Sequence, residues 1–180
     1  MIKEQCIDLL ISHNQILIRS RAFDENVSQW KKGNIAQGAI LNKDYVIFDP
    51  LPEDAFGANV ILSLFDEFIM DKNCQRCIIA PFTITDKNTF EVASATERFK
   101  IVLTLNNKSY SLYYEICEGD EIYYRFTFAK NNTPVEPHFL RMIHGVALKD
   151  SHLSWGYSSI DNYRGLKIPR FLLFNSCSAH

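Results

Sequence analysis

The sequence predicts a mostly β protein: an antiparallel β-sandwich over residues 1–149, with one short helix and an irregular extension over residues 150–180 packed on it. Three observations predict this. Apolar residues alternate with others along 99–105, 110–116 and 122–128, the period-two signature of strands with one buried face. Short polar turns, Asn106-Asn107-Lys108 and Glu118-Gly119-Asp120, join these runs into a predicted three-stranded meander. The chain carries 13 Phe and 8 Tyr against 7 Gly, a balance that favours strands. A lone sheet cannot hide its apolar face, and few helices are on offer to cover it. A second sheet is the economical cover, with a closed barrel as the alternative.

The elements follow in order. Residues 7–21 hold two short apolar runs around Ser12-His13-Asn14-Gln15, and the second, with Ile16 and Ile18, suits a strand. Residues 22–28 are polar and read as a loop. Residues 30–38 suit a helix of a turn or two, weakened by Gly33 and ended by Gly38 as a left-handed cap, with Ile35 and Trp30 turned to the core. Residues 45–48 form a strand closed by Asp49-Pro50-Leu51-Pro52. Residues 59–65 lean to a strand, although Leu62, Phe65 and Ile69 also fit a helix continuing to Met70. Residues 77–85 form a strand whose Pro81 marks an edge or a bulge, and residues 89–93 follow after Asp86-Lys87-Asn88. The 110–116 run buries Tyr110, Leu112, Tyr114 and Ile116; the 122–128 run buries Ile122, Tyr124, Phe126 and Phe128. Residues 135–149 supply a last strand. The extension holds Trp155 and the apolar run Phe171-Leu172-Leu173-Phe174, which is expected to pack on the domain or on a partner.

Bulk properties narrow the function. A net charge of −2 and a pI near 6.2 argue against general attraction to nucleic acid. No apolar run approaches the roughly 20 residues of a membrane span, and the first residues lack a secretory pattern, so a cytoplasmic location is expected. The five scattered cysteines, Cys6, Cys74, Cys77, Cys117 and Cys177, read as reduced thiols.

Candidate chemistry is sparse. Cys74-x-x-Cys77 has the spacing of half a zinc site or of a redox pair, but no second pair completes the ligand set, and Cys77 leads into a strand rather than a helix. Incidental thiols are the simpler account. His138, His144 and His152 share even spacings broken by polar residues. No Gly-rich phosphate loop and no nucleophile elbow occur. The acid pairs Asp24-Glu25, Glu53-Asp54, Asp66-Glu67 and Asp120-Glu121 are adjacent in sequence, so on strands they point to opposite faces; solvated loop charges are the default. No catalytic residue, metal ligand or cofactor is expected.

Several segments together carry a resemblance. Residues 11–16 (Ile-Ser-His-Asn-Gln-Ile), Trp30 through Gly38, residues 45–48, Ala80-Pro81-Phe82-Thr83-Ile84, Glu91-Val92-Ala93-Ser94, Glu97-Arg98-Phe99, Leu112-Tyr113-Tyr114-Glu115, residues 124–128 and Val135-Glu136-Pro137 occur in the order found in the competence protein J family. The chain resembles that family over roughly residues 7–145. It departs at Lys31, where the family has a helix-capping Thr, at residues 65–76, which look like an insertion or a longer hairpin, and beyond His144. The resemblance implies a non-enzymatic inhibitor, immunity-like in action, that binds a bacterial DNA-entry nuclease and holds it inactive in the producing cell. It transfers no interface residues. Because a nuclease cleft is basic, Asp24, Glu25, Glu53, Asp54, Asp120 and Glu121 are the expected electrostatic contacts, with Trp155 as an anchor. The alternative from another class is a module binding a small molecule or lipid in an aromatic-lined pocket.

Overall fold

The computed structural model describes residues 1–50, 58–130, 135–142 and 153. Two sheets face each other. One has six strands in the order β1 (Glu4–Leu9), β5 (Ala58–Phe65), β10 (Ile122–Ala129), β9 (Ser109–Glu118), β6 (Cys74–Thr83) and β11 (His138–Met142). The other has five: β3 (Ala39–Asn42), β4 (Tyr45–Phe48), β2 (Ile16–Ser20), β7 (Phe90–Ala93) and β8 (Arg98–Lys100). The predicted sandwich is therefore present. One ladder breaks the antiparallel rule: β10 runs parallel to β5, pairing Tyr124 with Val60 and Phe126 with Leu62.

The core lies between the sheets. Inward positions of the large sheet, among them Tyr110, Leu112, Tyr114, Tyr124, Phe126 and Phe128, meet Ile16, Ile18, Phe48, Phe90 and Val92 of the small one. Phe48 stacks on Tyr114 with ring centroids 4.3 Å apart, and Phe90 meets Phe128 edge-on at 5.6 Å. The alternation predicted for 110–116 and 122–128 is seen, except that Ile122 is only partly buried.

The predicted three-stranded meander is not. Only β9 and β10 form a hairpin in one sheet. Residues 98–100 join β7 in the small sheet, and residues 101–105 belong to no strand. Ile101, Leu103 and Leu105 stay buried, but the backbone crosses from edge strand β8 toward edge strand β1, where the Thr104 amide donates to the Ile2 carbonyl at 2.9 Å. Period two reports which way side chains point, not which strand the backbone joins. Phe99, expected to be buried, is 38% exposed, and edge strand β8 has no neighbour beyond it among the described residues.

Other expectations need smaller corrections. Residues 22–28 contain a short 3-10 turn at Glu25–Val27. The helix is α1 (Lys32–Gln37), but Ile35 is 61% exposed while Asn34 and Gln37 are buried; Gln37 Nε2 donates to the Ala39 carbonyl at 2.7 Å. Trp30 packs on the small sheet's outer apolar cluster, as expected. Lys31 stands at the N-cap and makes no side-chain capping bond, consistent with the loss of the family's Thr. Residues 66–70 do not extend β5 as a helix. Pro81 lies within β6, which is not an edge strand; the ladder with β11 ends at Ile79, so among the described residues one side of the strand at Pro81 has no ladder partner. Residues 143–149, and all of the 150–180 extension except Leu153, lie outside the described residues. Leu153 is buried in the core, and its amide donates to the Pro137 carbonyl at 2.8 Å.

Gly38 has φ 67°, and a Cβ there would stand 2.9 Å from Arg76 Nη1. Gly38→Ala combines left-handed strain with that clash and should cost about 1–3 kcal/mol, read as a lower urea midpoint at unchanged m-value.

Candidate functional site

The connection from β5 to β6 shapes the outer face of the large sheet. It leaves beside Ala129, the partner of Phe65 on β10, and returns at Cys74, opposite Cys117 on β9. Residues 66–73 therefore cross over β10 and β9 as a strap, and the outward side chains of those strands end up buried beneath it. Glu115 is 0% exposed, and Ser111 and Thr127 are also buried.

Several contacts hold the strap. Phe68 stacks on Tyr113 with centroids 3.8 Å apart. The Asp71 amide donates to Glu115 Oε1 at 2.7 Å. Arg125, opposite Glu115 in the ladder, places Nη1 3.2 Å from both Glu115 Oε2 and Asp71 Oδ2. Asp71 turns the chain by accepting from the Asn73 amide at 2.9 Å, and Asn73 Nδ2 donates to the Tyr123 hydroxyl at 3.2 Å. Burial outweighs Arg125 and the amide bond at Glu115, pushing its carboxyl up to about 7.

Beside this network sit Cys74, Cys77 and Cys117, each 0% exposed and covered by Phe68, Met70, Tyr113, Tyr123 and Leu140. Hydrogen bonds from Cys117 and Cys77 push the Cys74 thiol down, and the same contacts push the other two up. As a neutral thiol, Cys74 donates instead to the Arg76 carbonyl at 3.3 Å. Among the described residues, no group of three or more His, Cys, Asp or Glu side chains is arranged to hold a metal ion.

The strap's other side faces out. Ile69 is 79% and Phe65 40% exposed, flanked by exposed Asp66 and Glu67. Two open clefts border it. One, of about 440 Å³, is lined by Asp66, Phe68, Tyr113 and Lys130 among others; the second, of about 340 Å³, by Ile69, Met70, Tyr123 and Arg125 among others. The exposed acids Glu118, Asp120 and Glu121 sit at the β9–β10 turn, where the Glu118 amide donates to the Asn73 carbonyl at 3.0 Å.

The acids singled out from sequence do not form one patch. Asp24 caps the 3-10 turn, accepting from the Asn26 amide at 3.0 Å, and lies 3.6 Å from Arg21; Glu25 is exposed beside it. That segment follows Ser20, whose Oγ donates to the Thr83 carbonyl at 3.0 Å, so it sits where β6 ends and β9 begins. Asp120 and Glu121 sit at the opposite end of β9, whose 10 residues span about 30 Å. Glu53, Asp54 and Trp155 lie outside the described residues. Asp66 and Glu67, visible in the sequence as an acid pair, were not among the expected contacts. Their signal was the extra length at 65–76, where the chain departs from the family pattern.

Comparison with known proteins bears on these features directly. The family model for competence protein J (ComJ) matches residues 8–129. The chain belongs to the competence protein J family. Its fold is similar to the crystal structure of ComJ, inhibitor of the DNA degrading activity of NucA, from Bacillus subtilis, with a TM-score of 0.59 and 17% identity, covering 73% of this chain and 99% of that one. No curated protein matches by sequence. The matched stretch spans the residues of the strap, the acidic turn and the buried network. No helix among the described residues is long and apolar enough to cross a membrane.

Proposed function

We propose that this chain is a non-enzymatic inhibitor of a DNA-degrading nuclease, acting as a folded protein in the cytoplasm of the cell that makes the nuclease. Family membership and the likeness to the Bacillus subtilis inhibitor support it. The observation that carries it furthest is the outward side of the strap. Exposed Ile69 and Phe65 are flanked by Asp66 and Glu67, and the other end of the strap meets the turn that carries Glu118, Asp120 and Glu121. An apolar strap with acids at both ends complements a cleft built to hold anionic DNA. The aromatic-pocket alternative is not favoured: the large aromatics stack on one another in the core, and the two clefts have mixed, partly charged walls.

The test is inhibition of plasmid cleavage by the DNA-degrading nuclease of the same cell. An equimolar amount of protein should stop cleavage, and undiminished cleavage at tenfold excess would reject inhibition. The footprint is tested separately. Charge reversal at Asp66, Glu67, Asp120 and Glu121 together should slow association at low salt by at least about tenfold, while reversal at Asp24 and Glu25, which follow β2 of the other sheet, should change it less than about twofold. Equal effects from the two sets would remove the strap from the interface while leaving inhibition itself intact.

A further inference from the structure

We propose that Cys74 and Cys117 form a reversible dithiol–disulfide site, closed by exchange with a low-molecular-weight disulfide such as oxidised glutathione. The proposal is independent of nuclease inhibition.

The geometry selects the pair. Cys74 and Cys117 are directly opposed in the antiparallel β6–β9 ladder, where the strap enters β6. Opposed residues in such ladders have Cα atoms about 4.5–5.5 Å apart, inside the roughly 4.4–6.8 Å window of disulfides. The Cys-x-x-Cys spacing that stands out in the sequence is the weaker pair. Three steps along an extended strand cover about 10 Å, beyond disulfide reach. A register shift between Cys74 and Arg76 lets Cys77 share the same cluster, but Cys77 sits opposite Glu115, not opposite a cysteine. Cys74 is thus the cysteine with another cysteine directly across from it.

The chemistry balances with one equivalent of oxidant. Ionised Cys74, held by hydrogen bonds from its two neighbours, attacks one sulfur of oxidised glutathione. The glutathione S–S bond breaks, a glutathione thiolate leaves, and Cys74 carries a mixed disulfide. Cys117 then gives up its proton, attacks the Cys74 sulfur and expels the second glutathione thiolate. Two protein thiols have lost two electrons, the oxidant has gained them, and the two protons end on the two reduced glutathiones. Because the three thiols are 0% exposed beneath Phe68 and Met70, the oxidant reaches them only when the strap lifts.

Peptide mapping of the full-length protein after incubation with oxidised glutathione at pH 8 and alkylation tests this. Exposed Cys6 serves as an internal control for reagent action. The expected product is one intramolecular disulfide joining the Cys74 and Cys117 peptides, reversed by dithiothreitol, with a melting temperature raised by about 5–10 °C. Cys77→Ser should retain the cross-link, and Cys117→Ser should abolish it. Phe68→Ala, which loosens the strap, should accelerate closure at least tenfold. A cross-link running from Cys74 to Cys77, or to Cys6 or Cys177, overturns the proposal. So does the absence of any cross-link in Phe68→Ala once Cys6 is fully modified.

Discussion

Tyr114→Ala should lower the unfolding free energy by about 4–5 kcal/mol, close to the whole stability of many domains of this size. Tyr114 is 0% exposed at the point where the sheets meet. Its ring stacks on Phe48 of the small sheet at 4.3 Å and on Phe126 of its own sheet at 4.9 Å. Removing it deletes these ring pairs, and that with Tyr124, and leaves a cavity that the strands cannot close without shifting. The hydroxyl is a separate, smaller contribution. It donates to the Asp49 carbonyl at 3.2 Å, and Arg76, whose guanidinium lies over the Tyr114 ring, donates to the same oxygen. Tyr114→Phe keeps the ring and should cost only about 1 kcal/mol. Urea unfolding followed by far-UV circular dichroism separates the two. Equal losses would mean that the hydrogen bond, not the inter-sheet stack, is what matters.

The second large effect is a pH dependence set by Glu115. Its folded pKa, raised to about 7 chiefly by burial, lies above its ordinary value of 4.5. The folded state therefore keeps a proton that the unfolded state loses. The stability that Glu115 contributes is complete below about pH 4.5 and is lost as the pH rises through 7. Between pH 5.5 and 8 the loss should amount to about 2 kcal/mol. Glu115→Gln cannot titrate, so its stability profile minus that of the wild type should rise by that amount across the same interval. A flat difference would show that Arg125 and the Asp71 amide hold the carboxylate ionised throughout. Glu115→Ala has a different consequence at pH 8. It leaves the Asp71 amide without its acceptor and Arg125 with Asp71 as its remaining carboxylate in this network, which should cost about 3 kcal/mol and loosen the strap. Faster hydrogen exchange over residues 66–73 would report that loosening.

Both effects centre on one strand, β9, whose two faces were not equally legible. Its inward face could be read directly. Tyr110, Leu112, Tyr114 and Ile116 recur at period two, and nothing buries such a series except another apolar layer. Its outward face misled. Ser111, Tyr113, Glu115 and Cys117 look like a mixed surface, yet the strap buries all but the partly exposed Tyr113. Nothing local to β9 announces that cover, because it comes from residues more than 35 positions earlier in the chain.

Local residue pattern was enough for the β class, the inward faces of β9 and β10, the strands at 45–48 and 59–65, the glycine that ends α1, and family membership through an ordered series of short motifs. These are local facts: backbone preference and side-chain alternation are fixed by neighbours within a few residues. Long-range packing was needed to place 98–100 in the small sheet, β5 parallel to β10, the acid pairs at 24–25 and 120–121 at opposite ends, and Cys74 across from Cys117 rather than Cys77. Each of these depends on which distant backbone supplies the hydrogen-bond partners. That choice is made by the packing of the whole core, and a period of two residues carries no record of it.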